Sequence, residues 1–257
     1  VMVPNTPFEK DEIIAENYLR SSKFRASGFD GFMQDNVAMR RDRIVELPDN
    51  IDMRVAAFIE IISVAYHTVK RFMKFGHERR DTVAIWGDGN LAYIVSLLLK
   101  HFMPDSKLYI MGVNEDKLSG FSFADKTFHV NSIPDDLTFD HAFECVGGQG
   151  CEMADNQIID YIRPEGTIAL MGVSENKVPI NTRMVLEKGL RIFGSSRSGK
   201  QDFADAVEFL NKFPKNVKLL ANIVDSVIDV RSIEDMNKAF ENDMKKVGGK
   251  TIMVWNV

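Results

Sequence analysis

From Thr82 to Ser196 the chain alternates short runs of consecutive apolar residues with longer stretches whose apolar positions recur at helical spacing. Six runs read as strands: residues 82–87 (TVAIWG), 107–112 (KLYIMG), 127–130 (TFHV), 140–145 (DHAFEC), 166–172 (GTIALMG) and 190–195 (LRIFGS). Between them LAYIVSLLLKHF, EDKLSGF, MADNQIIDYI and NTRMVLEKG read as helices. Strands alternating with helices predict βαβ units, and the near-continuous apolar character of the first, second and fifth runs suits strands covered on both faces. The expected fold class is α/β, with a doubly wound six-stranded parallel sheet.

The flanks carry a different pattern. Residues 1–50 hold loop signals at Pro4, Pro7, Gly28, Gly31 and Pro48, strand-like pieces at 32–39 and 43–48, and a short helical pattern at 11–19. Residues 51–75 read as one amphipathic helix leading into the sheet. The tail offers a helix at 202–213, a strand at 222–230, a helix at 232–244 and a last strand at 250–255. This places a partial second domain at 1–61 and 198–257 around a core domain at 62–197. The chain starts at Val1, and VMVPNTP reads as a strand leading into a loop, so it is expected to begin inside a domain.

With 257 residues, 45% of them apolar, there is ample material for a buried core. A formal net charge of -5, with basic residues interspersed among acidic ones, excludes the electrostatic footprint of a nucleic-acid binder. The densest basic spot, Arg40, Arg41 and Arg43, is interrupted by Asp42 and reads as a solvated face. No run is long enough to cross a bilayer and no signal-peptide pattern opens the chain, so a cytoplasmic protein with no membrane partner is expected. Cys145 and Cys151 are the only cysteines, too few for a four-cysteine zinc site or a disulfide framework.

Candidate chemistry concentrates after the first strand. Gly87, Gly89 and Ala92 form a GxGxxA pattern that opens a helix through Asn90 and Leu91. Glycines at the turn bring backbone N–H groups close to a pyrophosphate at a helix N-terminus, and the small third residue lets helix and strand pack. The end of the second strand then bears on the cofactor. An NAD-binder places an acid there, but here the position falls on Gly112, which leaves room for NADP, with Lys117 in reach of the extra phosphate.

These residues, with FECVGG (143–148), YIRPEGTIALMGVS (161–174), GLRIFGSSRSG (189–199) and GGKTIMVW (248–255), resemble the zinc-dependent medium-chain alcohol and polyol dehydrogenases over nearly the whole chain. VMVPNTP, SGFDGFMQD, IWGDGN, DHAFECVGG, MGVSE, NTR and GSSRSG are more closely similar to the ribulose-5-phosphate reductases, which make ribitol 5-phosphate for CDP-ribitol and ribitol-containing surface polymers. The resemblance implies a Rossmann domain beside a β-rich, GroES-like catalytic domain that is incomplete here. It implies NADPH and Zn²⁺ as cofactors. Cys145, Val146, Met171, Gly172, Val173, Ser195 and Ser196 would line the nicotinamide pocket, with Val64 against the ring and Lys250 on the pyrophosphate. Glu60 would be a catalytic-zinc ligand; within the apolar run AAFIEIISVA an acid is costly to bury unless it is paired, hydrogen-bonded or bound to metal.

The implied reaction is reduction of the C2 ketone of D-ribulose 5-phosphate, with zinc polarising the carbonyl and NADPH delivering hydride. Arg20, Lys23 and Arg25 are candidates for the substrate phosphate. An open zinc site needs three or four ligands, and the family's cysteine and GHE histidine come from a part that precedes VMVPN. The GHE at Gly76, His77 and Glu78 lies after the linking helix and reads as a decoy, while His67 reads as a packed histidine. The resemblance also implies a homo-oligomer and a cytidylyltransferase as partner. Two alternatives stand beside this reading: another polyol or alcohol dehydrogenase, and a non-catalytic module that binds NADP or a partner protein.

Overall fold

In the computed structural model, which describes residues 1–245 and 248–256, strands β1 (Asn5–Thr6) and β2 (Lys23–Phe24) form a two-residue antiparallel pair. Helices α1 (Met53–Ala56) and α2 (Ile59–Phe75) follow. Then come β3 (Thr82–Trp86), α3 (Asn90–Phe102), β4 (Lys107–Gly112), α4 (Glu115–Ser119), β5 (Lys126–His129) and β6 (Phe139–Glu144). The chain continues through α5 (Cys151–Tyr161), β7 (Ile162–Leu170), α6 (Thr182–Glu187), β8 (Arg191–Gly194) and α7 (Lys200–Lys212). Last are α8 (Pro214–Leu220), β9 (Val224–Val230), α9 (Ile233–Met244) and β10 (Lys250–Trp255). Two compact units result, one from Val1–His67 with Arg197–Val257 and one from Thr68–Ser196.

The second unit is the six-stranded parallel sheet the apolar runs predict, in the order β5-β4-β3-β6-β7-β8. Strand order reverses between β3 and β6, which makes this a doubly wound Rossmann sheet with its crevice at the carboxyl ends of those two strands. All of Val83, Ala84, Ile85 and Trp86 lack accessible surface, as a strand covered on both faces requires. On one face Ala84, Trp86, Met111, Ala142 and Ile168 pack with Ile158 and Ile159 of α5. The Trp86 indole donates to Gln157 Oε1 at 2.9 Å, which satisfies its buried N–H.

Strand β7 differs from the predicted 166–172. It starts at Ile162 and slips register against β6 between Phe139 and His141, and its far end stops at Leu170. The Met171 and Gly172 amides turn instead to the Glu144 carbonyl, at 3.0 and 3.2 Å.

In the first unit, the predicted single helix over 51–75 is two helices. Asp52 caps α1 by accepting from the Arg54 amide, and Ala57 and Phe58 separate α1 from α2. The helical pattern at 11–19 does not become a helix. Asp11 Oδ1 accepts from the Ile13 and Ile14 amides at 2.7 Å each, a local turn that competes with helical bonds, and Ile13 stays exposed. The strand-like pieces at 32–39 and 43–48 form no strand; an isolated Met2–Ile44 bridge and a 3-10 turn at Arg41–Arg43 stand there. The tail is a β-α-β unit in which β9 and β10 pair in parallel around α9. Helix α8, started by Pro214, has no counterpart in the sequence reading.

Candidate functional site

The turn between β3 and α3 is built as its glycines require. Gly87 has φ of +123°, and a Cβ there would lie 2.9 Å from the Cys145 carbonyl oxygen, so both backbone angle and neighbour demand glycine. Its amide donates to the Met111 carbonyl at 2.8 Å, which ties the turn to the end of β4. Gly89 is the residue before α3, with no capping side chain, and a Cβ on it would meet nothing within 4 Å. That open side lies at the N-terminus of a 13-residue helix whose first amides lack intrahelical partners. Asn90 and Leu91 form the first turn half-buried, and Ala92 is fully buried. These residues fit a dinucleotide pyrophosphate.

At the end of β4, Gly112 is buried and Lys117 of α4 is half-buried. The space beside Gly112 is not empty. Asp88, the middle residue of the turn, fills it with a carboxylate whose Oδ2 accepts from the Val113 and Asn114 amides, both at 2.8 Å.

Across the strand reversal, the ends of β6 and β7 are joined by a residue that sequence reasoning passed over. Glu144, 1% exposed, accepts from the Val146 amide at 2.6 Å and the Gly147 amide at 3.3 Å through Oε1, and from the Gly172 amide at 2.8 Å through Oε2. The Gly148 amide adds a bond to the Val173 carbonyl at 2.7 Å. One buried carboxylate thus shapes both loops assigned to the nicotinamide. Cys145 is buried against Met171, with 4.0 Å between sulfurs, and burial pushes its thiol pKa well up. Val146 and Val173 are exposed, the latter by 79%. Behind the loop, burial and then the Glu144 charge push the Asp155 carboxyl up to about 6.

After β8, Ser195 is buried, receives a hydrogen bond from Thr68 Oγ1 at 2.8 Å and donates its amide to the Leu170 carbonyl, while Ser196 is exposed. The predicted residues at 87–92, 112, 145–146, 171–173 and 195–196 therefore gather at the carboxyl ends of five strands of one sheet.

The other predicted residues belong to the first unit. Glu60, second in α2, is not sunk in the core as its apolar neighbours suggest. Its side chain reaches solvent and its carboxylate has no ion pair or hydrogen bond among the described residues, yet the protein packed round it desolvates the group and raises its pKa. Val64 is half-buried. Lys250 is exposed and pairs with Asp243 at 2.8 Å. Among the described residues no group of three or more His, Cys, Asp or Glu could hold a metal ion, so Glu60 lacks the companions that a zinc centre needs.

His67 is a member of a polar chain in which it, Asp202 and Asn17 are buried and Tyr18 reaches the surface. Its Nδ1 meets Asp202 Oδ2 at 3.0 Å, and its Nε2 meets the Tyr18 hydroxyl at 3.2 Å and Asn17 at 3.3 Å. A carboxylate, an imidazole and a phenol in sequence can pass a proton. Lys23 and Arg25 line one cavity of about 350 Å³ with Thr6, Phe8, Phe29 and Asp30; Arg20 lies outside that lining. His77 packs against His141 with ring centroids 4.2 Å apart and the rings tilted by 48°.

A family model for zinc-binding dehydrogenases matches residues 122–212. The ribulose-5-phosphate reductase of Bacillus spizizenii is 54% identical over 257 residues, which span 100% of this chain and 75% of the relative. The chain belongs to the ribulose-5-phosphate reductase family. Ribulose-5-phosphate reductase 1 of Staphylococcus aureus is 53% identical over 255 residues, 99% of this chain and 75% of that protein. Among solved structures, S. aureus TarJ in complex with NADPH superposes with a TM-score of 0.86 at 50% identity, covering 89% of this chain and 72% of TarJ. A ribulose-5-phosphate reductase is thus about a third longer than the stretch it shares with this chain.

Proposed function

We propose that the chain serves NADPH-dependent reduction of D-ribulose 5-phosphate to D-ribitol 5-phosphate, feeding CDP-ribitol and ribitol-containing surface polymers. The reading is supported chiefly by one observation: the turn around Gly89 stays open at the start of α3, in a chain 54% identical to a ribulose-5-phosphate reductase. NADPH, when bound, supplies the hydride equivalent for the C2 ketone. Amides of Gly89, Asn90 and Leu91 bind the pyrophosphate. Cys145, Val146, Met171, Gly172, Val173, Ser195 and Ser196 orient the nicotinamide, with the loops held by Glu144. Val64 as a ring contact, Lys250 on the pyrophosphate and Glu60 as one zinc ligand are proposed on the family resemblance alone.

The proposed division of labour gives cofactor binding to residues 62–197 and assigns 1–61 with 198–257 to the catalytic domain. Lys23 and Arg25 are proposed to meet the substrate phosphate. No helix among the described residues is long and apolar enough to cross a membrane, and we place the activity in the cytoplasm. A homo-oligomer and a cytidylyltransferase that consumes ribitol 5-phosphate are the proposed partners.

Consumption of NADPH with a panel of ketoses and ketose phosphates tests the assignment. D-ribulose 5-phosphate is expected to turn over well above unphosphorylated ribulose. Equal rates would remove the phosphosugar assignment, and a preference for another polyol would move the chain to a different dehydrogenase activity.

A further inference from the structure

The strand-end acid that the sequence lacks at Gly112 is supplied from elsewhere in the chain. Asp88 lies 25 residues before Val113, inside the phosphate-binding turn, yet its Oδ2 accepts from the Val113 and Asn114 amides at 2.8 Å each. A Cβ on Gly112 would stand 2.7 Å from Asp88 Cβ and 2.8 Å from Oδ2. Residue 112 and Asp88 therefore compete for one volume, and the glycine concedes it to the carboxylate. Two adjacent turn amides of this kind form an anion-binding pair, which Asp88 occupies with a charge of the protein's own. Its Oδ1 has no hydrogen-bond donor among the described residues, so one oxygen remains able to accept.

A carboxylate at this point in a dinucleotide site accepts hydrogen bonds from the adenosine ribose hydroxyls and repels a 2′-phosphate. We propose that Asp88 is the cofactor-discriminating residue of this chain: anchored over Gly112, it takes the place of the strand-end acid, accepts from the adenosine ribose and restrains the preference for NADPH over NADH. The inference rests on the nicotinamide-cofactor reading of the site. Gly112 by itself would leave the 2′-phosphate to Lys117 unopposed; with Asp88 in place the two charges act against each other.

Asp88→Asn keeps an oxygen for the two amides and removes the charge, and Asp88→Ser shortens the side chain and frees the amides. Calorimetric titration of the full chain and both variants with NADPH and with NADH gives the ratio Kd(NADH)/Kd(NADPH). In Asp88→Asn that ratio is expected to rise about tenfold, mainly through tighter NADPH. Asp88→Ser is expected to move it in the same direction. A ratio that stays unchanged or falls in Asp88→Asn, while the nucleotides still bind, overturns the role of Asp88 alone. Failure of the unaltered chain to bind either nucleotide would instead overturn the cofactor reading and this inference with it.

Discussion

The Glu144 side chain accepts a hydrogen bond from the Gly172 amide at 2.8 Å, so the carboxylate that ends β6 holds the loop that follows β7. The same side chain serves Val146 and Gly147, which makes three backbone donors dependent on one buried acid. Replacing Glu144 with glutamine turns one acceptor into a donor facing an N–H group. Glu144→Gln is expected to lower stability by about 2–3 kcal/mol in urea unfolding, the cost of stranding buried polar groups. It is also expected to weaken NADPH binding at least tenfold, because the two loops proposed to meet the nicotinamide lose their common anchor. Unaltered stability would show that these bonds contribute little.

Asp155 and His141 give the second unit opposing responses to acid. The Asp155 carboxyl, raised to about 6 by burial and by Glu144, binds its proton more readily in the folded chain, so its stabilising contribution is present in acid and is lost as pH rises through about 6. His141, lowered to about 4 by burial and then by His77, is neutral in the fold: Nδ1 accepts from the Thr167 amide and Nε2 meets the Arg79 carbonyl. Its contribution is present above its ordinary value of 6.5 and is lost as pH falls toward 4. Between pH 6.5 and 5, Asp155→Asn is expected to lose stability on acidification more steeply than the parent, and His141→Gln less steeply. At pH 8 Asp155→Asn should be more stable than the parent by on the order of 2 kcal/mol. Parallel pH profiles for all three chains would contradict both assignments.

Glu60 belongs to no group of three or more potential metal ligands among the described residues. The dialysed chain is expected to hold well under one zinc per molecule by elemental analysis, and Glu60→Gln to leave both zinc content and NADPH affinity as they are. One tightly held zinc that disappears in Glu60→Gln would show that the chain assembles a metal centre unaided.

Much of this was legible in the sequence because of how the sheet is covered. A run such as VAIW can be continuously apolar only where both strand faces are buried, and such runs mark β3, β4 and β7 from composition alone. The Gly87-Gly89-Ala92 spacing likewise carries its own geometry. The first 50 residues were misleading because a helical rhythm at 11–19 says nothing of Asp11, whose carboxylate captures the local amides and diverts the backbone. Asp88 and Glu144 were invisible for another reason. Each holds at least one amide of a separate turn, and the sequence has no signal for which turns fold against each other. Glu60 is exposed where its neighbours suggest burial, because apolar neighbours along a helix do not tell which way the odd residue faces.

Gly89 offers the most direct test of the nucleotide site, because a side chain there meets nothing within 4 Å and its φ of −88° suits any residue. Gly87 is the contrasting control, since its φ of +123° and the nearby Cys145 carbonyl make Gly87→Ala destabilising by roughly 1–3 kcal/mol. Titration of Gly89→Val with NADPH, alongside its thermal unfolding, separates binding from folding. The expected result is an unfolding midpoint within about 2 °C of the parent, less than a 1 kcal/mol change would give, with NADPH affinity reduced at least a hundredfold. NADPH binding to Gly89→Val at the parent's affinity would contradict the placement of the cofactor at this turn.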